Sequence, residues 1–239
     1  MLDKAISLFS KYPIDYGEFR QEREISTSIS LRDAETSVSI GESNGISVRV
    51  LVKGSWGFAS TDDLSRIEEI FKKAFKLAKI SKGKSKVEEK PSFSGKFKTS
   101  VKTPFESISI EKKMADMHEL QKMLDGKSVT STSARYSDSA CTDSFVSTAG
   151  SECEQISSRI YAAFTSVAKN NGLMQRASER IGLSAGYEAM DQCFSLAKEC
   201  PNRALSLLSA STAPPGKHLV IIDGRMTGLL CHEALGHAC

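Results

Sequence analysis

The chain has 239 residues, 40% of them hydrophobic, and a net charge of +3. That is enough apolar material for a core spread over one or two domains, and too little excess charge to build a face for nucleic acid or an anionic membrane. No apolar run reaches the ~18 residues of a membrane span, and the start, Met1-Leu2-Asp3-Lys4, lacks the apolar stretch of a secretory signal, so a cytoplasmic protein is expected.

Leu2, Ala5, Ile6, Leu8 and Phe9 are spaced as a short amphipathic helix that Pro13 ends. Three strands follow. The first covers 24–31, with Ile25, Thr27, Ile29 and Leu31 on one face. The second runs through Thr36, Val38 and Ile40. The third covers 46–53, with Ile46, Val48, Val50 and Val52 on one face. Arg32-Asp33-Ala34-Glu35 and Asn44-Gly45 are expected as the turns between them. Residues 55–60 add an edge strand, and Ser60 or Thr61 caps a helix with the stripe Leu64, Ile67, Phe71, Ala74, Phe75 and Ala78. Residues 79–104 hold eight lysines among Gly, Ser and Pro. A basic stretch with interleaved Phe93 and Phe97 is one way to hold nucleic acid, but the small net charge favours a solvated linker or long hairpin.

A second helix is expected at 108–124, with Ile110, Met114, Met117, Leu120 and Leu124 on one stripe and His118 at its rim. Residues 127–185 alternate as long strands, turning at Gly150 and at Asn171-Gly172. A helix over 187–209 should be interrupted or kinked at Pro201. Ser209–Gly216 forms a linker, and Lys217–Asp223 a short buried strand that feeds a helix starting near Met226. The fold class is α+β. Residues 1–104 form a small antiparallel sheet with helices, 105–210 a strand-rich second domain, and 211–239 the first piece of a third. The six cysteines form no CxxC, and in a reducing compartment they are expected as buried, free thiols, with Cys231 and Cys239, which flank the cluster described below, as packed or frayed ones.

The chemistry concentrates at the end. His232, Glu233 and His237 form an HExxxH cluster. Imidazoles are good zinc ligands, and a glutamate beside one is placed to act as a general base. On a regular α-helix, residues four apart lie ~40° from one another around the axis, whereas residues five apart lie ~140° apart and cannot share an ion. A π-type turn or a helix break across 232–237 is therefore required, and Gly236 makes it cheap.

Gly228-Leu229-Leu230-Cys231-His232-Glu233-Ala234-Leu235-Gly236-His237 resembles the signature of the TldD/PmbA metallopeptidases, also called modulators of DNA gyrase. Asn44–Val50 and Gly54–Ser60 are similar to that family's N-terminal domain. The resemblance implies a third, C-terminal metalloprotease domain of which only the start is present here. It also implies Zn2+ as cofactor, His232 and His237 as metal ligands, and Glu233 as the catalytic base. It further implies a cysteine ligand from the C-terminal domain, which Cys231 and Cys239 do not match. Partners would be extended or unfolded peptide substrates and a second subunit, in a homodimer or in a heterodimer with a paralogue lacking the motif; HExxxH makes this chain TldD-like. With two ligands present, the 239-residue form should bind zinc weakly or not at all and have no activity alone. The competing reading is a non-catalytic partner or gyrase-modulating interaction protein.

Overall fold

A computed structural model describes residues 2–88 and 91–238. The strands are β1 (Tyr16–Arg32), β2 (Glu35–Val52), β3 (Ser55–Thr61), β4 (Ser94–Lys98), β5 (Val129–Ser147), β6 (Glu152–Asn170) and β7 (Leu173–Leu183). They make one seven-stranded sheet in the order β3-β2-β1-β5-β6-β4, with β7 also on β6. All pairings are antiparallel except β4 on β6. The helices are α1 (Leu2–Phe9), α2 (Ile67–Ile80), α3 (Ile110–Met123), α4 (Met190–Leu208) and α5 (Gly224–Cys231). The mixed α+β class expected from the sequence is what forms.

Alternation along the long strands divides the sheet into two faces. Phe19, Thr27, Ile29 and Leu31 of β1 share a face with Val48 of β2 and with Val146, Tyr136 and Ala134 of β5, their direct cross-strand partners. This face carries the helices and two apolar clusters. At one end Phe19, Val48, Val50 and Val146 pack with Ala5 and Phe9 of α1 and with Ile70, Phe71 and Ala74 of α2. At the other end Ile29, Leu31, Tyr136 and Phe164 pack with Met117 and Leu120 of α3 and with Cys193 and Ala197 of α4. The opposite face holds the alternate residues, among them Ser26, Ser28, Ser30, Ser133, Ser137 and Ser139, which explains why strand segments so rich in serine still belong to a packed sheet. Residues 2–208 make one compact unit and 209–238 another, and β1 pairs with both β2 and β5, so one sheet runs through both regions separated in the sequence at 104/105.

At Gly57 an added Cβ would sit 1.9 Å from the Ala74 carbonyl oxygen. The absent side chain is what lets α2 lie against β3.

Four expectations are corrected. Asn44-Gly45 is no turn: both residues lie inside β2, paired with Arg23 and Glu22, and neither has the positive φ that a tight hairpin turn demands. The lysine-rich stretch is not simply a linker, because β4 adds to the edge of the sheet and Ser85 N–H donates to the Gly54 carbonyl at 2.9 Å. Residues 89 and 90 lie outside the described ones. Pro201 does not interrupt α4, which is helical through Leu208, with the ring buried near Gly126. Lys217–Asp223 is not a buried strand: Leu219 and Ile221 are fully exposed, and among the described residues no strand pairs with it, so its backbone has no ladder to join.

The junction between 102–103 and the start of α4 is held by one carboxylate. Glu188 accepts from the N–H groups of Lys102, Thr103 and Gly186 at 3.2, 2.9 and 3.1 Å. Burial pushes this acid up, but those backbone donors outweigh it and hold its pKa down to about 2. A carboxylate depressed in the folded state stabilises above its unfolded pKa, and that contribution fades as pH falls. Unfolding midpoints of the wild type should therefore drop between about pH 4.5 and pH 2 by more than those of Glu188→Gln. At pH 7 the variant should cost about 1–3 kcal/mol, measured by urea denaturation.

Candidate metal centre

Asp223 opens the terminal helix. Its side chain accepts from Met226 N–H at 2.9 Å and so caps α5. After Cys231 the bonding changes. Residues His232–Gly236 form a π-turn, closed by His237 N–H donating to the His232 carbonyl at 3.2 Å. Of the two distortions expected across 232–237, a π-type turn or a helix break, the π-turn is the one that forms. It swings the two imidazoles onto one side, with His232 Nε2 and His237 Nε2 3.0 Å apart and the rings perpendicular.

Ligand-type atoms of His232, Glu233 and His237 all lie within 4.8 Å of one another. Two imidazoles holding one zinc at ~2.0–2.1 Å with tetrahedral angles would place their nitrogens about 3.3–3.4 Å apart. The observed 3.0 Å is a few tenths short of that, and a pair of imidazole nitrogens suits a borderline-soft divalent cation. All three residues are exposed. Cys231, also exposed, does not join the cluster, and Cys239 lies outside the described residues.

A second group of potential ligands, Glu22, Cys141 and Asp143, lies on the serine-rich face. Burial and the neighbouring Asp143, Glu22 and Glu24 push the Cys141 thiol up to about 11, so it stays protonated near neutrality and is a poor ligand. His118 is exposed at the rim of α3, as expected. Of the cysteines expected to be buried, only Cys193 and Cys200 are so among the described residues, each pushed up to about 11, chiefly by burial; Cys141 and Cys153 are half-buried on their strands and Cys231 is exposed.

Sequence patterns did not single out a buried polar cluster under α3. Lys113 Nζ donates to Asp138 at 2.6 Å and to Thr27 at 3.3 Å, and the Tyr136 hydroxyl donates to the same Asp138 oxygen. Beside it Tyr187 donates to Asp116 at 2.7 Å. Burial, then the adjacent carboxylate, drives both tyrosines well above the ordinary phenol range. Lys113 stands four and seven residues before Met117 and Leu120, on the apolar stripe itself; that spacing was the available signal.

Residues 17–78 match the model for domain 1 of the PmbA/TldA metallopeptidases, and residues 103–208 match the model for their central domain. A metalloprotease of Methanocaldococcus jannaschii is 35% identical over 232 residues, covering 94% of this chain and 51% of that protein. The chain belongs to the PmbA/TldD metallopeptidase family. A zinc metalloprotease TldD homologue of Saccharolobus solfataricus is 24% identical, covering 98% of this chain and 52% of its own. The fold of this PmbA/TldD chain is also that of a Thermotoga maritima protein provisionally described as a modulator of a DNA gyrase, with TM-score 0.74 and 17% identity over 90% of this chain and 49% of the other. TldE of Thermococcus kodakarensis matches with TM-score 0.64 and 16% identity, over 84% and 47%. The chain spans about half the length of the curated relatives it matches.

Proposed function

We propose that this chain is the front half of a zinc-dependent peptidase in which His232 and His237 hold the metal and Glu233 is the general base. The observation that carries this reading is the π-turn, across which imidazoles five residues apart converge to 3.0 Å. When bound, Zn2+ would supply Lewis acidity, activating a water and polarising the scissile carbonyl. The protein's part is positional. The π-turn fixes the His232 and His237 rings, and Glu233, adjacent in chain, offers its carboxylate to the attacking water's proton and then returns that proton to the departing amine. Extended or unfolded peptides suit pairing with a strand edge, and among the described residues β7 pairs on one side only, with β6.

Catalytic zinc takes three protein ligands as a rule, and this chain offers two imidazoles. A longer protein carrying the half that its relatives possess should retain about one zinc per chain through gel filtration, as measured by elemental analysis. His232→Ala or His237→Ala should remove it. The 239-residue chain should lose its zinc to a mild chelator and cleave no peptide. Tight stoichiometric zinc in the double His232→Ala/His237→Ala variant of the longer protein would overturn the assignment of ligands.

A further inference from the structure

The two apolar clusters leave a gap between them on the helix-bearing face of the sheet. Ile25 of β1 and Ala140 of β5 are cross-strand partners on that face, yet neither belongs to a cluster. A cavity of about 270 Å³ lies there, with Ile25, Ile40, Phe105, Ile108 and Ala140 among its walls. The next row along the sheet, Thr27 with Asp138, also lines it, together with Lys113 of α3.

The polar end of this cavity is only partly paired. Asp138 Oδ2 accepts from Lys113 Nζ at 2.6 Å and from the Tyr136 hydroxyl, whereas Oδ1 has no hydrogen-bond partner among the described residues. No side-chain oxygen or nitrogen sealed from solvent lacks a partner among those residues. The Asp138 side chain is more than nine-tenths buried, so its Oδ1 is reached from the cavity that it lines. An ammonium carries three N–H donors. Asp138 and Thr27 take two from Lys113, at 2.6 and 3.3 Å, and no oxygen among the described residues takes the third. Lys113 Nζ stands 5.8 Å from the centroid of the Phe105 ring, one of the walls.

We propose that this cavity binds a small molecule with an apolar body and a primary carboxamide head. The amide N–H donates to Asp138 Oδ1, and the amide carbonyl accepts the third N–H of Lys113. The Lys113–Asp138 pair stays intact, and the spare acceptor and spare donor are both met. Other heads fit less well. A carboxylate sets an anion beside Asp138, and an ammonium sets a cation beside Lys113. A ketone leaves Oδ1 unmet and shut off from water, which costs about as much as a lost hydrogen bond to a charged group. The volume limits the body: it falls just below the ~300–1,000 Å³ of pockets for drug-sized ligands, so one ring with its head is the expected size. The site is built wholly from residues of the 2–208 unit and uses none of the residues of the metal centre.

The test is an NMR titration of the 239-residue chain, isotope-labelled at its isoleucine δ-methyl groups, with benzamide as the probe. The methyls of Ile25, Ile40, Ile108 and Ile110 should shift and saturate together, with a dissociation constant of about 1 mM, while those of Ile67 and Ile70 on α2 stay in place. Benzoate and acetophenone, close to benzamide in size, should bind at least ~10-fold more weakly. Asp138→Asn should reverse that preference. The asparagine oxygen has to stay on Lys113 and Tyr136, so its amide nitrogen takes the place of Oδ1 and offers a donor. Acetophenone should then bind at least as tightly as benzamide. Ala140→Leu fills the cavity and leaves its polar end untouched. It should abolish the benzamide shifts with circular dichroism unchanged, which decides the matter even where Asp138→Asn does not fold. The proposal fails if benzamide moves all isoleucines alike or never saturates, or if the three probes bind equally well. It fails equally if a benzamide preference survives Asp138→Asn or the shifts survive Ala140→Leu.

Discussion

Glu233→Gln, made in a longer protein that cleaves peptide, should lower kcat by about 10²–10⁴-fold while zinc content stays unchanged. The substitution keeps the shape of the side chain and its place on the π-turn, beside His232 and within 4.8 Å of both imidazoles. It removes only the ability to accept a proton. If the glutamate serves as the base, the loss falls on kcat with KM little changed, because the side chain acts on the attacking water and contributes little to holding peptide. His232→Ala should cost as much activity, but together with the zinc. That split between metal content and turnover separates a base from a ligand. Cleavage within tenfold of wild type in Glu233→Gln would leave the interaction-protein reading as the better one.

How far the sequence carried this reading differs from element to element. The geometry of the terminal cluster was legible because it is a local problem: five-residue spacing, two imidazoles and a glycine before the second admit few backbone solutions, and the π-turn is one of them. The alternation of Val48 and Val50 with polar residues likewise decided a face. Where the outcome depends on a distant partner, the residues alone misled. Asn44-Gly45 has turn chemistry, yet β1 continues past it and supplies a ladder, so an extended backbone wins. Lys217–Asp223 has strand chemistry but no strand beside it among the described residues, and it stays unpaired. The same limit applied to Lys113: its place on the apolar stripe was visible, whereas Asp138, its partner 25 residues later on β5, becomes visible only once α3 is laid across the sheet.

That buried pair carries the largest expected effect on stability. Lys113→Met should lower the free energy of unfolding by about 3–5 kcal/mol, read from the midpoint of urea denaturation. The magnitude follows from what is left behind. Lys113 and Asp138 side chains are 6% and 4% exposed, so removing the cation strands a nearly buried carboxylate that keeps the Tyr136 hydroxyl as its remaining side-chain donor among the described residues. Methionine fills the lysine's volume, which excludes a cavity as the cause. Asp138→Leu should be similarly costly, since it strands the ammonium between Thr27 and the Phe105 ring, 5.8 Å from its centroid. The double variant should recover most of the loss, because an apolar pair needs no compensating charge and pairing in the wild type largely repays desolvation. A coupling energy near zero in that cycle would mean that the two groups do not depend on each other, and the ion pair would then not be what fixes α3 on the sheet.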